Sequence, residues 1–434
     1  MHYLRAAMNI EQLYSQFLLS RKVSTDTRKI EPGSIFFALR GPNFNANAFA
    51  DEALSKGATL AVIDDATFER SGKTMLVTDA LETLQNLARH HRNQLKIPVI
   101  GLTGSNGKTT SKELLNAVLS KKFKTLATKG NLNNHIGVPL TILSIDNSIE
   151  LAIIEMGANH VGEIALLSSI ANPTHGFITN IGKAHIGTFG GFENIIRGKT
   201  ELYQHLLNNN GTVFINSGNE ILFNMAKRFK EPILYPRQGD YVQVELKSSD
   251  PYLRYQSESG QTIKTQITGS YNFENVAVAL CIGKYFGVPE DEANAAIAQY
   301  APANMRSQIM AKGSNTIILD AYNANPSSME AAIKNLQTMN AANKIAIVGD
   351  MYELEEEAER EHRAMGKILT ASNFSAVYLC GELMRWAKEE CPTAKYFASK
   401  TDLINHLKSN TPVNSTILIK ASRGMGLEAV VEVL

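Results

Sequence analysis

The stretch GLTGSNGKTT, residues 101–110, decides how this chain folds and what it holds. It closes the apolar run PVIGLT and precedes Leu114, Leu115, Val118 and Leu119, which follow at helical spacing. Buried strand, glycine turn and amphipathic helix together make the setting of a phosphate-binding loop. Glycines let backbone N–H groups approach phosphate oxygens, and the helix N-terminus adds its positive end. The standard loop pattern has a glycine where this chain has Leu102, and the glycines here are Gly101, Gly104 and Gly107. Lys108 is placed to neutralise β- and γ-phosphates, and the Thr109 hydroxyl to hold Mg²⁺. The plainer alternative is a glycine-rich turn with an ordinary surface lysine.

Outward from the loop, strand-turn-helix repeats. ELAIIEM, HGFITNI and GTVFIN are further buried-strand candidates, which implies a mostly parallel, doubly wound sheet. Residues 236–270 are polar and turn-rich, a hairpin or excursion. NFENVAVALCIGKYFG then reads as a helix ending at Gly287, with Pro289 beyond. APANMRS is a linker, after which alternation restarts with NTIILDAY, a helix from Ser327, KIAIVGDM, a long charged helix, SAVYLCG and STILIKAS. Before the loop, SIFFAL, ATLAVI and TMLVT alternate with helical stretches such as NAFADEALSKG. The expectation is an α/β protein of three domains. These are a small N-terminal α/β substrate domain (1–96), a central P-loop-type ATPase domain with a mostly parallel sheet (97–305), and a C-terminal Rossmann-like α/β domain (306–434).

A chain of 434 residues is long enough for several cores. Lys plus Arg number 43 against 42 Asp plus Glu, which argues against a general attraction to nucleic acid or anionic lipid. Cys281, Cys380 and Cys391 are scattered without metal-ligand spacing and read as reduced thiols of a cytoplasmic protein. No run is apolar enough to span a bilayer, so no membrane insertion is expected. The opening MHYLRAAMNIEQLY lacks the apolar core of a signal peptide. Met8 is a second candidate start, with MHYLRAA an upstream extension.

Several polar residues fall at strand ends, where open α/β sheets bind ligands. Glu155 ends ELAIIEM and is either a metal ligand or a solvated charge. His185 lies in the next such loop, NIGKAHIG, and by itself reads as structural or exposed. Lys199 in RGKTELY looks like a helix-surface lysine. Asn272 and Asn275 open a helix, Asn272 as a candidate N-cap. Arg306 follows the linker and by itself would be solvated. Asp320 ends a strand, and YNANP after it is turn chemistry.

Taken together these residues resemble the Mur ligase family, whose variant loop TGxNGKTT accounts for Leu102. KGNLNNHIGVPLTIL (129–143), IIEMGANHVGEI (153–164), DAYNANPSSM (320–329) and GDMYELEEEAEREH (349–362) carry the match, with STDTRKIEPGSIFFALRG (24–41) resembling a UDP-sugar-binding segment. The resemblance covers nearly the whole chain. It implies ATP-dependent amide ligation through an acyl phosphate, with UDP-N-acetylmuramoyl-tripeptide as acceptor and D-alanyl-D-alanine as amine donor. The third acceptor residue is meso-diaminopimelate or lysine. A monomer is implied.

The resemblance also implies roles. Thr103, Gly104, Ser105, Asn106, Gly107, Lys108, Thr109 and Thr110 form the ATP loop. Thr109 and Glu155 hold one Mg²⁺ and His185 contacts a second, so two ions act during catalysis. Lys199 matches a position carbamylated in relatives, which would turn a cationic amine into an anionic metal ligand; a simple cation near phosphate is the other reading. Asn272 and Asn275 lie near adenine, Arg306 reaches the phosphates, and Asp320 binds ribose. Asn131, Asn133, Asn134, Tyr322, Asn323 and Asn325 approach substrate. Ser422 and Arg423 bind the dipeptide or cap the final helix. Asp26, Thr27 and Arg28 serve the nucleotide-sugar, with Arg28 set for an anionic group.

One departure stands out. Where the family often has DGHDF, this chain reads NFNANAF, 43–49, with amides and alanine in place of acid and histidine. Among rivals, neither a DNPR-type motif nor an N-terminal dinucleotide-type loop is present, and folylpolyglutamate synthases lack a first domain of this type. A nucleotide-gated scaffold and a small-molecule kinase are the readings outside ligation. Lys108, Thr109, Glu155, His185 and Lys199 together weigh against the scaffold.

Overall fold

The computed structural model describes residues 10–434. The alternative start at Met8 lies outside them. The centre is a six-stranded sheet in the order Ile233–Tyr235, Thr212–Asn216, His175–Ile178, Val99–Thr103, Leu151–Glu155 and Thr125–Ala127. Every pairing in it is parallel. Parallel sheets need helices on both faces, and their inner strands are apolar throughout. Val99–Thr103 accordingly has no exposed residue. Its Ile100 and Leu102 share a core with Leu114, Leu115 and Val118 of helix Lys108–Leu119 and with helix Phe273–Tyr285. On the opposite face Val99 joins Ile164, Leu202 and Leu206.

The first strand in sequence, Val99–Thr103, sits between the third and fourth. The chain therefore leaves it in opposite directions on its two sides. The crevice above its C-terminal end is the ligand position of a doubly wound sheet, and the glycine loop opens there.

A second six-stranded sheet follows, in the order Gln308–Lys312, Asn315–Leu319, Thr416–Lys420, Lys344–Gly349, Ala376–Cys380 and Lys395–Phe397. Only its edge pair, Gln308–Lys312 with Asn315–Leu319, is antiparallel. The strand Gln308–Lys312 follows the expected linker directly and precedes NTIILDAY, where alternation is expected to restart; its mostly half-buried residues suit an edge. Residues 236–270 contain an antiparallel meander, Glu245–Ser248, Arg254–Gln256 and Thr262–Lys264. Near the start lies a small parallel sheet of Val23–Ser24, Ile35–Phe37, Leu60–Ile63 and Thr74–Leu76.

Helix Ala80–Gln94 ties this first sheet to the centre. It packs on Gly137–Leu143 and Glu163–Ala171. Its buried Arg92 donates to the carbonyls of Ala171 (2.9 Å) and Asn172 (3.0 Å), which end the latter helix. All three cysteines are buried and free. Among the described residues no helix is long and apolar enough to cross a membrane.

Candidate active site

The glycine loop is held by backbone geometry that side chains would obstruct. Gly104 has φ +143°, and a Cβ there would stand 2.0 Å from Thr179 Oγ1. Gly107, at φ +78°, would meet Asn275 Oδ1 at 2.5 Å. Lys108 Nζ folds back onto the carbonyls of Gly104 (2.7 Å) and Ser105 (3.3 Å). Burial lowers its pKa; Glu155 opposes that shift and Arg306 adds to it. An amine held this way is poised for an anion, which would replace carbonyl dipoles by full charge.

Glu155 ends the neighbouring strand and is 2% exposed. Its Oε1 accepts from Asn133 Nδ2 (2.9 Å) and lies 3.3 Å from Thr109 Oγ1. Its Oε2 is buried with no hydrogen-bond partner. A buried carboxylate oxygen left unpaired costs free energy unless something fills the place. Beside a hydroxyl at the mouth of a phosphate loop, the hard-oxygen set fits Mg²⁺. Among the described residues no cluster of three or more His, Cys, Asp or Glu could hold a metal unaided. Any ion here needs hydroxyl, phosphate or carbamate oxygens as well. The second ion fits less closely, because His185 Nδ1 already lies 2.7 Å from Glu353 Oε2. His185 itself has φ +56°, a left-handed backbone.

Lys199 corrects the surface reading of its helix. It is 1% exposed, donates to the Ala158 carbonyl at 2.9 Å and lies 5.0 Å from the Phe189 ring centroid. Burial is the main cause of a pKa well below that of free lysine, with the Lys108 charge adding to it. A lowered pKa raises the share of neutral amine, the form that reacts with CO₂, and in that respect the site fits a carbamate.

The other half of the site comes from the C-terminal sheet. Arg306 stacks its guanidinium 3.7 Å from the Tyr322 ring centroid, and the linker arginine is thus partly ordered by an aromatic face. Asp320 accepts from the Ser307 N–H (3.1 Å) and from Lys420 Nζ (2.6 Å). Lys420 is buried and also reaches the Asn323 carbonyl at 3.0 Å. Asn325 caps helix Pro326–Thr338 in a reciprocal box with Ser328. The same side chain donates to Asn106 Oδ1 at 2.8 Å. Tyr271 OH meets Ser307 Oγ at 2.8 Å, and Lys183 N–H donates to Ser327 Oγ at 2.9 Å.

One cavity of about 950 Å³ gathers most of the expected residues. Its lining includes Ser105 to Thr110, Asn131, Asn133, Asn134, Glu155, His185, Asn272, Asn275, Arg306, Asp320, Tyr322, Asn323, Asn325, Ser422 and Arg423. Thr103, Gly104 and Lys199 lie outside the lining. So do Asp26, Thr27 and Arg28. Arg28 is exposed and paired with Asp26 at 2.8 Å, and that pairing holds the Asp26 carboxyl down to about 2.

Asn272 and Ser422 both stand at N-cap positions, of Phe273–Tyr285 and of the turn Arg423–Met425, but neither side chain makes a capping hydrogen bond. Asn272 Nδ2 donates to Thr268 O (2.7 Å) while its Oδ1 accepts from Asn275 Nδ2 (2.8 Å). Ser422 Oγ accepts from Tyr352 N–H at 2.8 Å rather than capping the last helical segment, whose cap is Gly426. In NFNANAF, Asn47 is fully buried and bridges Asn45 and Asp64, so the substituted amides build a local polar knot.

Sequence reading missed Lys112, Lys420, Glu353, Tyr271 and Ser307. Lys112 had a signal, since it falls on the face of Thr109 at helical spacing. Lys420 ends a buried strand.

A phosphate loop at a topological switch point, with a carboxylate and a second α/β sheet closing over it, defines a nucleotide-dependent enzyme. Residues 102–283 match the family model described as Mur ligase middle domain, and residues 305–423 match that of the Mur ligase, glutamate ligase domain. The chain belongs to the Mur ligase family. It is 34% identical over 422 residues to the UDP-N-acetylmuramoyl-tripeptide–D-alanyl-D-alanine ligase of Bacillus subtilis (strain 168), covering 94% of this chain and 92% of the relative. The enzyme of the same name from Escherichia coli (strain K12) is 33% identical, covering 95% and 93%. Among solved structures, MurF from Acinetobacter baumannii superposes with a TM-score of 0.86 at 30% identity, covering 95% of this chain and 92% of that one. MurF ligase from Thermotoga maritima, solved in complex with ADP, gives 0.84 at 27% identity, covering 96% and 97%.

Proposed function

We propose that this chain is a MurF-type ligase, joining D-alanyl-D-alanine to UDP-N-acetylmuramoyl-tripeptide at the cost of one ATP. The single observation that carries the reading is the shared cavity. It holds the glycine loop and Glu155 on one side and Arg306, Asp320 and Tyr322 on the other. Near-full-length similarity to enzymes of that name supplies the substrates.

The chemistry suits the groups. A carboxylate is a poor electrophile. Attack of its oxygen on the γ-phosphorus breaks the bond to ADP and makes an acyl phosphate. The dipeptide amine then attacks the acyl carbon, inorganic phosphate leaves, and the amine gives up a proton. Lys108 and Arg306 offset charge that develops on the phosphoryl oxygens. Asn133 orients Glu155. Asp320 and the Asn272–Asn275 pair receive the nucleoside, and Asn131, Asn134, Tyr322, Asn323, Ser422 and Arg423 position acceptor and dipeptide. Thr109 and Glu155 would hold Mg²⁺, which when bound neutralises phosphate charge. His185 would touch a second ion and a carbamylated Lys199 would face it.

Three working units follow: residues 1–96 for the nucleotide-sugar, where Asp26, Thr27 and Arg28 sit apart from the cavity, 97–305 for ATP, and 306–434 for dipeptide and closure. Closure excludes water from an easily hydrolysed intermediate. The reading places the enzyme in the cytoplasm as a monomer.

The test is phosphate release with ATP, Mg²⁺, UDP-N-acetylmuramoyl-tripeptide and D-alanyl-D-alanine, omitting each in turn. Release that needs all four, with a pentapeptide product by mass, is expected. Release that ignores the dipeptide would favour a kinase-like phosphorylation, and no release with ATP still bound would favour a scaffold.

A further inference from the structure

Lys112 lies behind the site. Its side chain is 1% exposed and does not line the cavity. It is one helical turn beyond Thr109, so it points toward the same strand end. Nζ donates to the Thr128 carbonyl at 2.7 Å and lies 3.1 Å from Glu113 Oε1. Its third neighbour is Glu155 Oε2, at 3.8 Å. That oxygen is the one with no hydrogen-bond partner. Thr128 closes the triangle, because its Oγ1 accepts from the Glu155 N–H at 2.9 Å.

The distance of 3.8 Å is informative. It is too long for a hydrogen bond and short enough for strong attraction between buried charges. A buried carboxylate without a counter-charge is costly, and Lys112 supplies one. It leaves the lone pairs of Oε2 free. The same ammonium repels a divalent cation that approaches Glu155. With nucleotide bound, phosphate oxygens add negative charge and ligands on the far side, and that repulsion is outweighed.

We propose that Lys112 is a positioning residue for Glu155 that makes divalent-metal loading depend on nucleotide. It sets a counter-charge beside the carboxylate in the empty site and disfavours metal binding there without phosphate. The inference rests on the ligase reading only through the assignment of Glu155 as a metal ligand.

The probe is Mn²⁺, followed by electron paramagnetic resonance with and without ADP, at pH 8. Native protein is expected to bind Mn²⁺ weakly alone and much more tightly with ADP. Lys112→Gln is expected to bind Mn²⁺ alone about tenfold more tightly, and Lys112→Arg to behave as native, since a positive charge is retained. Glu113→Gln is a half-exposed change that leaves the core intact. It removes a charge that partly neutralises Lys112, so metal alone should bind more weakly than to native protein. Unchanged or weaker binding in Lys112→Gln overturns the proposal. So does a Glu113→Gln effect of the opposite sign, which decides the matter if Lys112→Gln does not fold. The control is Glu155→Gln with ADP. Mn²⁺ binding that ignores it would overturn the metal assignment itself, an outcome distinct from failure of the Lys112 argument. The omission assay for ligation tests the substrate assignment independently of all of these.

Discussion

Asn325 and Asn106 meet across the site, with Asn325 Nδ2 donating to Asn106 Oδ1 at 2.8 Å. One is the N-cap of the helix that follows Asp320, and the other stands in the middle of the glycine loop. A single amide thus fixes a helix start in the C-terminal sheet and touches the phosphate loop of the central one. It is well placed to report closure of one upon the other.

Those two roles separate by substitution. Asn325→Ser keeps a capping oxygen but is too short to reach Asn106. Its stability should fall by no more than about 0.5 kcal/mol, because serine caps nearly as well as asparagine. KM for ATP should rise severalfold with kcat less affected. Asn325→Ala should lose the cap as well, about 1 kcal/mol. Thermal melts with steady-state kinetics on both variants distinguish the roles; equal KM values in native and Asn325→Ser would show the inter-sheet bond to be idle.

Lys108→Ala removes the cation closest to the phosphate loop. Loss of one preorganised charge at a developing anion costs about 10²–10³ in kcat. Arginine cannot fold back onto the Gly104 and Ser105 carbonyls in the same way, so Lys108→Arg should not restore activity. Near-native turnover in Lys108→Ala would contradict the loop assignment.

Much of this site was legible because its chemistry sits at strand ends. The strands Val99–Thr103 and Leu151–Glu155 are buried throughout, and what breaks each apolar run, the glycine loop after Thr103 and the carboxylate of Glu155, lies at the crevice. The short strands Thr125–Ala127, Ile233–Tyr235 and Lys395–Phe397 carry too few residues to show a period. The buried lysines were harder still. Lys112, Lys199 and Lys420 are each at most 2% exposed, yet lysine in a sequence reads as solvated. What buries them is a partner distant in the chain: Thr128 for Lys112, Ala158 for Lys199, Asp320 for Lys420. Such pairing is created by the fold and leaves no local pattern.

Lys199→Ala is expected to lose activity about 10–100-fold or more, the usual cost of disturbing groups that order a metal. Small carboxylic acids such as acetate should restore part of it if a carbamate normally provides the oxygen. Intact mass after rapid quenching in ¹³CO₂, or the carbamate carbon in ¹³C NMR, reads the modification directly. Full activity in Lys199→Ala would show the lysine dispensable.

Asp350 gives the stability of the protein a pH dependence of predictable sign. Its carboxyl is buried under Gly381, where a Cβ would stand 2.4 Å away, and Oδ1 accepts from Met384 N–H at 3.0 Å. Burial raises its pKa from 3.8 to about 6, against the pull of the backbone N–H groups of Leu383, Met384 and Glu382. Between those values the folded protein binds a proton that the unfolded chain has released. Stability from this group is therefore complete below about pH 4 and declines as pH rises through about 6. A shift of roughly two pH units corresponds to about 3 kcal/mol. Asp350→Asn lacks the titration. The stability of native protein relative to Asp350→Asn should fall by up to that amount from pH 4 to pH 7, measured as paired unfolding curves at each pH. A difference that stays flat across this range, or grows with pH, would mean that the Asp350 carboxyl ionises as readily in the fold as outside it.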